Sequence, residues 1–138
     1  MKVVFKVVIS IYVLFYRLTS GAIGGRMAGL NVLLLTSTGR KTGKSRTSPL
    51  GYFKQDGNFV IIASNGGANQ NPAWFYNVQS NPQVTIQTGR EHLAAKAEVV
   101  DAEKRKQLWT ELVKMAPGYD QYTKRTKREI PLVILKPV

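Results

Sequence analysis

The chain has no cysteine and a single histidine, His92. Disulfides and thiolate metal sites are therefore excluded, and 138 residues must fold on their core alone. That length suits one domain. Acids are scarce: eight Asp and Glu stand against twenty Lys and Arg, for a net charge of +12. The first acid is Asp56, preceded by nine cations from Lys2 to Lys54. The few metal-ligand types are scattered, so no metal site is expected. A surface this basic attracts phosphates, nucleic acid or anionic lipid. With 43% apolar residues the chain still reads as globular rather than disordered.

No apolar run is long enough to span a bilayer, which needs roughly 20 residues. The opening MKVVFKVVISIYVLFYRL comes nearest, and Lys6 interrupts it. It also lacks an A-x-A site, so a signal peptide is a poor match. At about 100° per residue, Lys2, Lys6, Ser10 and Arg17 fall in one narrow stripe of an otherwise apolar helix. Residues 1–20 thus read as a basic amphipathic helix that lies on a membrane surface or covers the protein body.

Residues 21–138 read as one compact α+β domain. Strands are expected at about 32–37, 47–53, 59–64, 84–88, 93–100 and 132–135, from β-branched runs and period-two alternation. Asp56-Gly57 is a hairpin signal because both residues tolerate positive φ. Asn71-Pro72 predicts a short helix with Asn71 as N-cap and Pro72 at the first helical position. Asp101 predicts the cap of a helix through Met115 that buries Leu108, Trp109, Leu112, Val113 and Ala116. Hairpins dominate the connections, so the sheet should be mostly antiparallel and close into a six-stranded barrel with flanking helices.

The densest chemistry lies in TSTGRKTGKSR, Thr36 to Arg46. It misses the Walker A spacing by one residue, and strand residues follow where a helix should receive the phosphates. A basic hairpin tip is nonetheless a good anion clamp. Gly39 and Gly43 let the backbone approach, Arg40 and Arg46 can fork onto phosphate oxygens, and Lys41 and Lys44 add charge.

Three blocks in order, LLLTSTGRKTGKSRTSPL, ASNGGANQNPAWFYNVQSNPQVTIQ, and PGYDQY with REIPLVIL, resemble the deazaflavin-dependent nitroreductase and quinone reductase family, which uses coenzyme F420. The similarity runs from about Arg17 to the C-terminus. It implies a split β-barrel of the flavin-reductase type and hydride transfer from reduced F420, an 8-hydroxy-5-deazaflavin, to a quinone, nitro compound or activated alkene. Carried over, Arg40, Lys41, Thr42 and Arg46 grip the cofactor phosphate, and Pro49 and Leu50 lie near the ring. Ala63 and Ser64 stand against the ring, Asn65, Gly66 and Gly67 near the tail, and Trp74 at the pocket wall. Tyr119 and Ser64 are the expected catalytic pair, donating hydrogen bonds and a proton to the acceptor, with Tyr122 lining the substrate side. Tyr119 and Tyr122 also read, at i and i+3, as packing residues of a helix face. Some members carry lysine at the position of Asn65 and tyrosine at those of Gly51 and Ala116.

The rival expectations are an FMN- or deazaflavin-binding barrel without much turnover, and a basic nucleic-acid-binding module. Cations concentrated in one loop favour a small-molecule site over nucleic acid. Lys124, Arg125, Lys127 and Arg128 read as a solvated face, and His92 as a strand residue without a role. A membrane-resident quinone would suit a cytoplasmic protein held at the inner membrane face through residues 1–18, and a homodimer is the other use of that helix.

Overall fold

A computed structural model describes residues 2–27 and 29–138, Lys2 by its backbone alone. The elements are α1 (Lys2–Thr19), β1 (Arg26–Met27), β2 (Leu30–Thr38), β3 (Ser45–Gln55), β4 (Asn58–Ile62), α2 (Ala73–Ser80), β5 (Gln83–Thr88), β6 (Glu91–Val99), α3 (Ala102–Met115), α4 (Asp120–Arg125) and β7 (Leu132–Pro137). Every strand pairing is antiparallel. The order β2-β3-β4-β7-β6-β5 closes through β2–β5 pairing into a six-stranded barrel, with the two-residue β1 on its edge.

The turns follow the residues. Asp56 (φ 54°) and Gly57 (φ 80°) both sit in the left-handed region and join β3 to β4. The Asp101 carboxylate accepts from the Lys104 N–H at 2.8 Å and caps α3. The Asn71 cap is a correction. α2 begins at Ala73 with Pro72 as N-cap in extended geometry. The Asn71 side chain instead accepts from Arg128 at 2.6 Å. The third predicted strand is also shorter: β4 ends at Ile62, leaving Ala63 and Ser64 in a loop.

Alternation sorts the side chains into two cores. Leu33, Leu35, Phe59, Ile61, Val84, Ile86, Val133 and Leu135 fill the barrel, plugged at one end by Trp74, Phe75 and Val78 of α2. The outward residues Phe53, Val60, Ile62 and Leu132 pack under Leu108, Leu112 and Ala116 of α3 and under Tyr119.

α1 covers the body of the protein. Val13 and Tyr16, with Ile9 and Tyr12, pack on Val32 and Leu34, which point outward from β2. The anchor is polar as well as apolar. The buried Tyr16 hydroxyl donates to the Val32 carbonyl at 2.8 Å and accepts from the Gly89 N–H at 2.9 Å. The Tyr12 hydroxyl donates to the Gly24 carbonyl. The opposite face stays uncovered: Val4, Val8, Ile11, Phe15 and Leu18 are 46–71% exposed. Among the described residues no helix is long and apolar enough to cross a membrane.

Candidate active site

The barrel has a seam. β3 pairs with β2 over Ser45–Tyr52 but with β4 only over Tyr52–Gln55. From Ser45 to Gly51 its second edge carries no strand. Pro49, opposite Leu34, fits there because a proline lacks the N–H that a paired edge would need. Thr47, Pro49 and Gly51 alternate onto the outward face and form a track about 13 Å long at 3.3 Å per residue.

One end of this track opens into a cavity of about 890 Å³ between α1, the 39–46 loop, the start of β3 and α2. That volume suits a cofactor-sized ligand. Its walls carry Lys6, Arg17, Arg40, Lys41 and Arg46, the hydroxyls of Ser10, Thr42, Ser45, Thr47 and Ser48, and no carboxylate. Among the described residues none of these cations pairs with an acid. The loop is held by itself: the Gly39 N–H donates to the Lys44 carbonyl at 2.8 Å, and the Gly43 N–H to the Gly39 carbonyl at 2.8 Å. Gly43 sits at φ 72° with open space around it, which glycine adopts without strain.

Arg40 is partly committed. Its guanidinium donates to Asn77 Oδ1 at 3.2 Å and lies 5.1 Å from the Tyr76 ring centroid. Its backbone N–H also donates to Asn77 Oδ1, at 3.1 Å. Asn77, absent from the sequence reading, thus locks the loop to α2. Trp74 is 6% exposed, mostly core, with an edge on the cavity.

Not every predicted residue meets here. The cavity collects Arg40, Lys41, Thr42, Arg46 and Trp74, but Pro49, Leu50, Ala63 to Gly67, Tyr119 and Tyr122 lie outside its walls. Ala63 is fully buried in the barrel core, and Leu50, half-buried, packs against that core. Asn65 donates its side-chain amide to the Gln70 carbonyl at 2.9 Å and shapes its own loop. Asn65, Gly66 and Gly67 run consecutively at φ 49°, 64° and 82°.

The far end of the track meets the tyrosines. A Cβ on Gly51 would lie 3.0 Å from the Tyr119 hydroxyl, so this glycine lets Tyr119 lie over β3. Tyr119 is 6% exposed and meets Tyr122 edge-on at 5.3 Å between ring centroids. The packing reading of this pair therefore describes much of what it does. Among the described residues the Tyr119 hydroxyl has no hydrogen-bond partner. Burial, with a smaller push from Tyr122, raises its pKa to about 12. It is a hydrogen-bond donor at any physiological pH and a poor source of protons. Tyr122 lies against Gly67, where an added Cβ would come within 3.4 Å of its ring. Ala116 is core, not pocket.

Arg128 corrects the sequence expectation of a solvated face. Its guanidinium donates to the carbonyls of Ala63 (3.1 Å), Ser64 (2.9 Å) and Ala68 (2.9 Å) and to Asn71 Oδ1 (2.6 Å). One side chain thus holds the whole 63–71 loop. Nothing in the local sequence separates it from its basic neighbours. His92 is exposed on β6.

These features coincide with a family. The model of the F420H(2)-dependent quinone reductases matches residues 9–137. An F420H(2)-dependent quinone reductase of Mycobacterium tuberculosis strain H37Rv is 37% identical over 124 residues, covering 87% of this chain and 83% of its own. Among solved structures, an F420-H2 dependent reductase shares 36% identity at a TM-score of 0.69, over 76% of this chain and 93% of that one. A domain-swapped dimer shares 36% identity at a TM-score of 0.70, over 76% of this chain and 79% of that one. The haem storage protein HutZ of Vibrio cholerae, at 17% identity and a TM-score of 0.60 over 78% of this chain and 81% of its own, shares the fold alone. With a matching loop, a seamed barrel and this identity along most of its length, the chain belongs to the F420H(2)-dependent quinone reductase family.

Proposed function

We propose that the basic cavity seats the anionic tail of coenzyme F420 and that the β3 track leads its ring towards Ser64 and Tyr119. The enzyme is an oxidoreductase of the F420H2-dependent quinone reductase family. Bound there, the reduced cofactor supplies a hydride for a quinone. The chain supplies position and electrostatics. Arg46 and Lys41 neutralise the phosphodiester, with the Thr42 hydroxyl completing the cradle. Pro49 is the floor and Trp74 a wall that excludes water. Tyr119 donates a hydrogen bond to the acceptor oxygen where charge develops, and Ser64 does so from the other side. The proton itself comes from solvent, because Tyr119 holds its own too tightly.

The observation that carries this reading is one cavity with five cations and no carboxylate. Its test is a fluorescence titration with oxidised F420, with FMN as rival ligand. F420 is expected to bind more tightly than FMN, and Arg46→Ala to weaken it by about tenfold, as loss of a charge-assisted hydrogen bond of roughly 1.5 kcal/mol would. Preference for FMN would move the protein to flavin binding. Binding of neither would end the reading.

The uncovered face of α1 belongs to the same picture. It is apolar, it lies opposite the docked face, and the protein around it is strongly cationic. This face rests on an anionic membrane, where quinones reside. Because Tyr16 is part of the fold, the informative change is Ile11→Gln/Phe15→Gln, which spares the docked side. Flotation with anionic liposomes should be lost in this double variant. Unchanged flotation would reject membrane contact, and a solution dimer split by the same substitutions would assign the face to a second copy.

A further inference from the structure

A second cavity, of about 310 Å³, shares only Arg17 with the first. Strand register explains what lines it. Thr36 of β2 pairs with Thr85 of β5, Leu34 pairs with Gln87, and Gln87 in turn pairs with His92 of β6. Residues directly opposite one another share a face, so these side chains stand with Leu34 on the outer surface of the sheet. Arg17, in the last turn of α1, borders them from the helix side. Glu91 alternates to the other face, and the lining holds no carboxylate. Hydrogen-bond donors gather here. The Arg17 guanidinium uses one N–H on Thr47 Oγ1 at 3.3 Å and keeps the rest. Thr47 Oγ1 is 2.9 Å from Thr36 Oγ1, so with Thr47 donating, the Thr36 proton is left for the cavity. Thr85 adds a second hydroxyl, and His92 adds an N–H that an imidazole offers in either protonation state. Gln87 is 8% exposed and donates from Nε2 to the Gly89 carbonyl at 3.0 Å, which leaves its Oε1 as an acceptor without a partner among the described residues.

We propose that this cavity is a second anion site, distinct from the cofactor cavity, for a small phosphate monoester that carries a hydroxyl group. Its donors come from one helix and three strands. A tetrahedral phosphate meets donors arriving from several directions better than a planar carboxylate does. Arg17 supplies the fixed positive charge. Gln87 Oε1 takes the ligand hydroxyl. The volume lies at the lower end for ligand sites, so it fits an ester of a few carbons and excludes a second deazaflavin. The site stands whether or not the first cavity holds F420, because every lining residue except Arg17 is its own.

His92 is also the reporter. It is the chain's only histidine, so its imidazole proton signals read this place alone in an NMR titration at constant pH. The probes are glycerol 3-phosphate, inorganic phosphate, and glycerol as the uncharged control. Glycerol 3-phosphate should shift the His92 signals to saturation and bind more tightly than inorganic phosphate, and glycerol should do nothing. Arg17→Gln should weaken glycerol 3-phosphate about tenfold and Thr85→Val about fivefold, as loss of a charged and of a neutral hydrogen bond would. Both positions are exposed, and circular dichroism checks that the fold persists. Lys96→Gln removes an exposed cation from the same face of β6 outside the cavity and should change nothing. Dihexanoyl phosphatidic acid carries the same phosphate on a lipid: tighter binding than glycerol 3-phosphate would assign the site to a lipid headgroup, and weaker binding to a free ester. A shift that never saturates would overturn the proposal. So would an equal loss in Lys96→Gln and Arg17→Gln, which would make the effect one of general charge, or loss of the response in Arg46→Ala, which would place the anion in the first cavity. Thr85→Val should still bind F420 as wild type does, so failure here and failure of the cofactor reading are seen separately.

Discussion

Arg128→Met should cost about 2–4 kcal/mol of stability and lower kcat/KM by at least tenfold. The size follows from what the side chain does. One guanidinium satisfies three carbonyls and a side-chain amide oxygen across residues 63–71. Hydrogen bonds from a charged donor contribute about 1.5–3 kcal/mol each, but water can replace some at a loop edge, so the sum falls well short of four full bonds. Methionine keeps the apolar stem and removes every donor. Arg128→Lys should recover only part, because an ammonium cannot match the planar fork that reaches these separated acceptors. Arg128 donates to the Ser64 carbonyl at 2.9 Å, so under the proposed role of Ser64 it is a positioning residue. Amide hydrogen exchange at 63–71 should therefore accelerate in Arg128→Met under native conditions, with the loss falling on kcat more than on KM. Denaturant unfolding, exchange and kinetics read the three parts separately. An Arg128→Met protein with a wild-type exchange pattern in that loop would reject the role.

Gly25→Ala should be the most damaging single methyl in the connector. A Cβ there would lie 2.1 Å from the Gly21 carbonyl oxygen, a backbone atom that cannot swing aside. Both ends of the connector are pinned: the Gly21 N–H donates to the Tyr16 carbonyl at 2.9 Å, and the Val32 N–H to the Gly25 carbonyl at 2.9 Å. Relief requires moving α1 or the start of β2. Overpacking of this kind costs about 1–3 kcal/mol, and more where backbone must shift. Any shift of α1 breaks the Tyr16 anchor and opens one wall of the cavity. Loss of stability in urea should thus accompany weaker F420 binding, although residue 25 touches no ligand. Gly57→Ala is the matched comparison. Its φ of 80° carries strain, but nothing lies within 4 Å of the added methyl, so it should cost about 1 kcal/mol and leave binding alone. Equal effects of the two changes would show that the 2.1 Å contact is relieved more cheaply than its geometry implies.

Much of the fold was legible in the sequence, for local reasons. Asp56-Gly57 turns because both residues reach positive φ, and Asp101 caps because its carboxylate reaches the Lys104 N–H. The antiparallel, hairpin-built barrel followed from such turns spaced between alternating strands. The basic loop was legible as a hairpin tip as well, because its glycines and cations lie within eleven consecutive residues; the structure brings Arg40, Lys41, Thr42 and Arg46 to one cavity. Asn71 misled because a cap is chosen by competition. Arg128, 57 residues away, supplies Asn71 with a charged donor that a helix N–H cannot match.

The sequence by itself determined the strand pattern, the basic loop and the presence of an amphipathic N-terminal helix, since each depends on residues within one or two turns of one another. Tertiary structure alone decided which way that helix faces, and it did so through Tyr16, whose hydroxyl reaches Val32 and Gly89 on two other strands' margins. The same closure made Arg128 a staple rather than a surface charge, turned Ala63 inward and set Tyr119 over Gly51. These outcomes depend on which backbone groups barrel closure leaves without partners, and no stretch of neighbouring residues contains that information.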